Sequence, residues 1–566
     1  MLHGLWLKAI LLSVALCAAS IFLSGSLARA DDADIRALRE RLDKLEKQNQ
    51  ELQRQLKLVL PQGVPSTEGA DRKLTPIDQK AVEKTVNDVL KERDEKKKKE
   101  DEKKKAEEEA KKAREEAEGY KVGTDLKMSA RWDDGVRFET PNKDFTTHIG
   151  ARLKLDSVWW TQSEDLIPNS QLGNLQDGMF FRRIRLEMDG TGWEVIEWRI
   201  NCAFEQINNN MINLDDTYAG ITKLPVIGSV RIGHLRLPQG LEGDQGSSTR
   251  TMMFMERPAF MEALYQTHAP GLWTNNSVLD QRMTWEAMIY KPESNSGNTF
   301  ENGNTGASFG DGVWATTGRL TGLPLYQHDG RYLVHLAGHA RWIKAQKPIT
   351  NGVLGAPVIQ FQARPELRDS QGSAFGGDTA RMVTTGYIPC DSETLLGSEF
   401  LAILGPFSLQ SEVGWAHLNG ASVPVKVGKN KTTVFGDRSF WGCYVQASYF
   451  LTGENRLYDC RLGRLANTYV RPFTTAWLVR NEDGSLDCGW GAWEIAARYS
   501  YLNLNDGPIQ GGVEQGITIG LNWYLTSTWK IQFNWVDDAR WHKMTTPYGT
   551  VPGTVQGFGI RTQLYF

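Results

Sequence analysis

The chain has 566 residues and a formal charge of −3, with 65 basic against 68 acidic side chains. That balance gives no electrostatic footprint for nucleic acid, and the length allows a large core or a large barrel. Nineteen Trp and 55 Gly suit a β-rich protein with aromatic belts and tight turns.

Residues 1–30 read as a secretory signal. Lys8 supplies the cation, Ala9 to Ser20 the apolar stretch, and Ala28-Arg29-Ala30 the small-x-small cleavage site. Residues 31–60 carry a heptad. Ile35, Leu42, Asn49 and Leu56 take one core position, and Leu38, Leu45, Leu52 and Val59 the other. This pattern predicts a short coiled coil, read as a parallel trimer on the periplasmic side, with Asn49 fixing register. Pro61 ends it. Residues 61–120 form a linker and a Lys/Glu/Ala tract without an apolar stripe, a charged helical or disordered spacer.

From residue 121 the period changes to two. Ile149, Ala151, Leu153, Leu155 and Trp159 oppose His148, Arg152, Lys154 and Asp156; Ile184, Leu186 and Met188 oppose Arg183, Arg185, Glu187 and Asp189. Trp198, Ile200, Cys202 and Phe204 oppose Glu197, Arg199, Asn201 and Glu205. Similar segments lie at 282–290, 333–342, 441–451, 493–501, 515–524 and 529–536. The last ten residues put Phe558, Ile560, Thr562, Leu564 and Phe566 on one face, Arg561 and Gln563 on the other. After the signal no apolar window is long enough for a spanning helix. A soluble sandwich and a lipid barrel share this alternation, and the sum of signal, many strands, Trp and a terminal Phe favours the barrel. Residues 121–566 therefore predict an all-β fold, a transmembrane antiparallel β-barrel of about 16 strands, with 18 as the alternative.

Five cysteines follow the signal without metal-ligand spacing, and Cys460 and Cys488 are the pair that oxidation could join. Nine His occur, and His335, His339 and His417 have no neighbouring GxSxG or HExxH motif. No enzyme, cofactor or metal is expected. Arg152, Lys154, Arg183, Arg185, Arg199 and Arg561 fall on lumen faces, where a guanidinium fork suits oxyanions and never loses its proton. Glu187, Asp189, Glu197 and Glu205 share those faces and act to neutralise them.

Several stretches resemble the phosphate-selective porin O and P family. They are Leu451-Thr452-Gly453-Glu454-Asn455-Arg456-Leu457-Tyr458, Gly405-Pro406-Phe407-Ser408-Leu409-Gln410-Ser411-Glu412, Gly491-Ala492-Trp493-Glu494 with Arg498-Tyr499-Ser500, and Gly520-Leu521-Asn522-Trp523-Tyr524. Phe181 to Leu186 and Phe254-Met255-Glu256-Arg257 are also similar to its segments. The resemblance implies a 16-stranded trimeric outer-membrane porin that prefers anions such as phosphate or polyphosphate-like solutes. It implies a third loop, after Arg231-Ile232-Gly233 and through Pro238 to Arg257, folded inward, with Ser247, Ser248 and Arg250 as anion donors. Phe566 resembles the terminal aromatic read by the barrel-assembly machinery. Two alternatives stand beside this reading: a general non-selective diffusion porin, and a barrel tethering outer membrane to cell wall through residues 31–118.

Overall fold

The computed structural model describes residues 121–566 apart from 170–171, 205–212, 246–251, 293–297, 300–313, 345–348, 351–352, 355–357, 372–379, 428–429, 467, 477, 481–485 and 542–551. The signal, coiled coil and spacer lie outside the described residues, as do Ser247, Ser248 and Arg250.

Sixteen antiparallel strands form the wall. They are β1 (Thr146–Gln162), β2 (Gly178–Gly192), β3 (Ile196–Ala203), β4 (Thr217–Leu224), β5 (Gly228–Arg236), β6 (His268–Val278), β7 (Met283–Tyr290) and β8 (Ala315–Gln327). Then follow β9 (Tyr332–Lys344), β10 (Ser392–Leu404), β11 (Phe407–Asn419), β12 (Arg438–Phe450), β13 (Ala492–Asp506), β14 (Ile509–Tyr524), β15 (Trp529–Trp541) and β16 (Gly553–Tyr565). Each pairs with its chain neighbour, and β1 pairs with β16 from Arg152 opposite Tyr565 to Gln162 opposite Val555. That seam closes the sheet and removes both edges.

Exposure decides which solvent the alternation serves. Leu153, Leu186, Ile221, Ile232, Leu320, Leu336, Val413, Ile517 and Phe558 are exposed on the outer face. Arg152, Lys154, Asp156, Glu187, Arg319, Arg341, Gln410, Arg498 and Arg561 are buried. Apolar outside and charged inside is the order of a barrel in lipid, the reverse of a soluble sheet. No helix among the described residues is long and apolar enough to cross a membrane. Strands carry the crossing.

At the end holding both barrel termini, the connections are two to four residues long, apart from 451–491. A hairpin of Ser129–Trp132 and Val136–Glu139 pairs with the first residues of β1, Thr146 to Ile149, beyond the point where β16 stops. Phe566 closes the gap. Its carbonyl accepts from Ala151 N at 2.7 Å and its amide donates to Ala151 O at 3.0 Å. Its ring stacks on Trp132.

The lumen is not an open tube. Loops 237–267 and 345–391 enter from the far end, and segment 451–491 from the terminal end. The first carries a short helix, α1 (Ala259–Leu264), whose Phe260 and Met261 are buried with Tyr265, Leu395, Ala416, Phe440 and Tyr444. The wall makes room for it with a row of glycines in direct register. Gly397 of β10 faces Gly414 of β11, which faces Gly442 of β12. A Cβ on Gly442 would lie 2.3 Å from Phe260 Cβ, so no other residue fits there beneath the helix.

Candidate functional site

Wall side chains clasp the backbone of loop 237–267. Asn522 Nδ2 and Gln532 Nε2 donate to Met253 O at 2.9 and 3.1 Å, and Lys530 Nζ donates to Met252 O at 3.0 Å. Met255 N donates to Asn534 Oδ1 at 2.7 Å, and Arg498 Nη1 to Glu256 O at 3.0 Å. Loop 345–391 is tied in through Glu366. Its Oε1 accepts from Ala259 N at 2.9 Å, its Oε2 accepts from Arg498 Nη2 at 2.6 Å, and its amide donates to Asp538 Oδ2 at 2.6 Å. From the other end, Tyr469 donates to Glu494 at 2.8 Å, and Arg319 Nη2 donates to Gly463 O at 2.9 Å. Three segments from two mouths thus narrow one lumen.

A cationic cluster forms where β1, β2, β16 and the two loops from the far end meet. Its key local feature is a bulge in β2. Lys154 faces Arg183 and Leu155 faces Phe181, so Arg182 is the extra residue. A bulge re-aims a side chain. Here both Arg182 and Arg183 turn inward, where a regular strand would send one of them to lipid. Arg182 grips Glu256 with two bonds, Nε at 2.8 Å and Nη2 at 3.0 Å. Arg561 holds Asp156 with two bonds of 2.7 Å and reaches Glu256 at 2.8 Å. Arg368 lies 3.4 Å from Glu256 and 3.3 Å from Glu262, and Arg364 also pairs with Glu262. Lys154 is buried beside Arg182, Arg183 and Arg561.

Cations crowd a few carboxylates there. Among the described residues, Arg182, Arg183, Arg364, Arg368, Arg381 and Arg561 gather with Lys154 around Asp156, Glu256 and Glu262. The loop groups register that field. Burial alone would raise Glu262, but Arg364, Arg368 and Arg381 hold it down to about 2. Glu256 is likewise held well below the carboxylate range by Arg182 and Arg368 against the pull of burial. Burial, and then neighbouring Arg364, pushes Arg368 below its ordinary value.

Arg152, two residues before Lys154 on β1, connects this cluster to a cavity of about 60 Å³ near β3 to β6. That volume holds a few waters or one small ion. Arg152, Arg199, Arg231, Arg236 and Arg464 line it, against Asp216 and Glu286. Arg231 lies between Tyr218 and Trp273, 4.6 and 4.4 Å from their ring centroids.

Among the wall arginines singled out from sequence, Arg152 and Arg199 share Glu187, and Arg185 pairs with Asp215. Sequence reading missed Arg182, because alternation assigns it to lipid. It also missed Arg364, Arg368 and Arg464, which sit in loops with no period. Arg231 and Arg236 were legible in principle as basic residues on an alternating strand. Cys460 is a free thiol in the structure.

Comparison with known proteins places this geometry. The chain is 23% identical over 470 residues to Porin O of Pseudomonas aeruginosa, covering 78% of this chain and 93% of that one. It is 24% identical over 401 residues to an uncharacterised protein of Caulobacter vibrioides, covering 69% and 68%. The outer membrane channel DcaP of Acinetobacter baumannii is similar in structure at 10% identity, with a TM-score of 0.41 over 76% of this chain and 99% of that one. Residues 162–566 match phosphate-selective porin O and P, and with a closed 16-stranded wall around a narrowed lumen the chain belongs to that family of outer-membrane channels.

Proposed function

We propose that this porin passes small anions, phosphate or polyphosphate-like solutes, by passive diffusion, and that Arg152, Lys154, Arg183, Arg185, Arg199 and Arg561 contribute to the path. Ser247, Ser248 and Arg250 remain part of the proposal through the family resemblance alone. The observation that carries it is the gathering of guanidinium groups, Arg182, Arg183, Arg368 and Arg561 with Lys154, where the far-end loops reach the wall. Guanidinium groups bind oxyanions in two places, and a series of weak sites exchanges an ion's water stepwise.

One observation favours a general diffusion pore instead. Arg152, Arg185, Arg199 and Arg561 are each held by a carboxylate, which cancels much of their field. Reversal potential in a KCl gradient separates the two. The wild type is expected to prefer anions. Replacing Arg182, Arg183 and Arg368 together with glutamine removes three of these cations, so the potential is expected to move toward cations. The shift is expected to be larger at low salt, because the screening length grows from about 8 Å at physiological salt to about 30 Å at 0.01 M. An unmoved potential at low salt leaves the general pore.

Assembly as a homotrimer is part of this proposal. Among the described residues, strands β3, β4 and β7 have eight residues each, with Asn213–Leu214 extending the pairing of β3, against 13 to 17 in β1, β2 and β8 to β16. Eight residues tilted at about 45° rise roughly 19 Å, short of an apolar band of about 25 Å. Ile200, Ile221, Ile232 and Ile289 are exposed on this low sector. A second copy covering it would remove the mismatch. A trimeric coiled coil over residues 31–60 would match that symmetry, and residues 31–118 would give reach toward the cell wall.

The barrel-assembly machinery is proposed to read Phe566. Phe566→Ala keeps both backbone bonds to Ala151 and removes only the ring stacked on Trp132. It is expected to reduce the heat-modifiable, folded form in outer-membrane fractions several-fold while total chain stays level. Normal assembly of this variant would count against recognition of the ring.

A further inference from the structure

At the far-end tips of β4 and β6, Asp215, Asp216 and His268 bring three potential ligand atoms within 4.8 Å of one another. His268 Nε2 lies 3.3 Å from Asp215 Oδ1 and 3.2 Å from Asp216 Oδ1. The nitrogen is buried and faces both oxygens. The other oxygen of each carboxylate is already engaged. Arg185 Nη1 pairs with Asp215 Oδ2, and Arg236 Nε donates to Asp216 Oδ2 at 2.8 Å. One oxygen from each aspartate is therefore left facing a single imidazole nitrogen.

We propose that these three side chains bind a divalent transition-metal cation of the zinc type. A zinc ion lies about 2.0–2.2 Å from carboxylate oxygen and imidazole nitrogen, which sets ligand atoms about 3.3 Å apart around a tetrahedron. The two nitrogen-to-oxygen separations match that edge, and the two oxygens lie within 4.8 Å of each other. One imidazole and two carboxylates suit zinc better than calcium or magnesium, which take oxygen ligands in larger number. Arg185 and Arg236 act as outer partners that fix the carboxylates in place. His234 supports the site from the side. Its Nδ1 lies 2.8 Å from Asp215 O, and its ring stacks on His268 at 5.4 Å. Asp216 and Arg236 also line the arginine cavity, so the ion site adjoins it. Once bound, the ion adds two positive charges beside the route proposed for anions. The metal site itself does not depend on that route. The competing occupant is a proton on Nε2, which bridges the same two oxygens.

The test titrates zinc chloride into the folded, full-length porin in detergent, followed by calorimetry. One zinc per chain is expected. His268→Gln and Asp215→Asn are each expected to weaken binding by about tenfold or more. X-ray absorption at the zinc edge of the wild type is expected to show one imidazole among oxygen ligands, a readout that stands if either variant fails to assemble. No binding by the folded wild type at about 100 μM zinc would overturn the proposal. So would binding undiminished in both variants, or a zinc edge without imidazole; each assigns the geometry to a protonated His268.

Discussion

Replacing Arg498 with methionine is expected to lower the stability of the folded barrel by about 3–5 kcal/mol, the cost of leaving a buried charge without its partner. Arg498 and Glu366 are both fully covered, with Arg498 Nη2 donating to Glu366 Oε2 at 2.6 Å and Nε to the same oxygen at 3.0 Å. The change strands more than one carboxylate. The Glu366 amide is bound to Asp538, so removing the guanidinium leaves two acids close together without a cation. Loop 237–267 also loses the Arg498 bond to Glu256 O. Expected observations are a lower temperature for loss of the heat-modifiable form and noisier single-channel current as the loop loosens. A double change, Arg498→Met with Glu366→Gln, should recover part of the loss, because no unpaired charge remains at Glu366. An unchanged transition temperature in the single variant would show that the pair is accessible to water.

The second large effect is steric. Gly442→Val places carbon where Phe260 already sits, 2.3 Å from its Cβ, with the Tyr501 carbonyl at 2.7 Å. Overpacking of this kind costs about 1–3 kcal/mol. The wall is held by two complete hydrogen-bond ladders, from β12 to β11 and from β12 to β13. The helix is therefore the part expected to yield. Moving α1 off the wall displaces the constriction loop, and single-channel conductance is expected to change with it. Phe260→Gly in the same chain, which removes the clashing Cβ itself, should restore the original conductance in large part. Failure of that rescue would mean that Gly442 serves the wall alone.

The wall was legible because lipid outside and charge inside enforce a strict period of two on the strands named from sequence. The polarity of that alternation was not legible, since a soluble sheet uses the same pattern; only the exposure of Leu153, Ile232 and their like settles it. The inward course of loop 237–267 came from resemblance to a family, and the structure adds its reason: glycines at 414 and 442 leave the space that Phe260 of α1 fills, and those at 397 and 414 the space of Tyr265. The inward course of 345–391 and 451–491 left no trace in periodicity. Among their anchors are Glu366 and Tyr469, whose partners lie more than a hundred and 25 residues away respectively. Arg182 was unreadable for a different reason. A bulge changes the phase of a strand locally, and nothing in Phe181-Arg182-Arg183-Ile184 marks which arginine is the extra one.

That bulge bears on how such channels diversify. In a regular strand a change of lumen charge must come by exchanging an inward residue, and two adjacent inward cations are forbidden. One inserted residue in β2 circumvents that rule, since pairing resumes in register on both sides of Arg182. Losing the residue again would return an ordinary strand without altering strand number, closure or the lipid face. The charge of the lumen beside the inward loops can thus drift by whole units through single-codon insertions and deletions, while the scaffold that inserts into the membrane stays under separate selection.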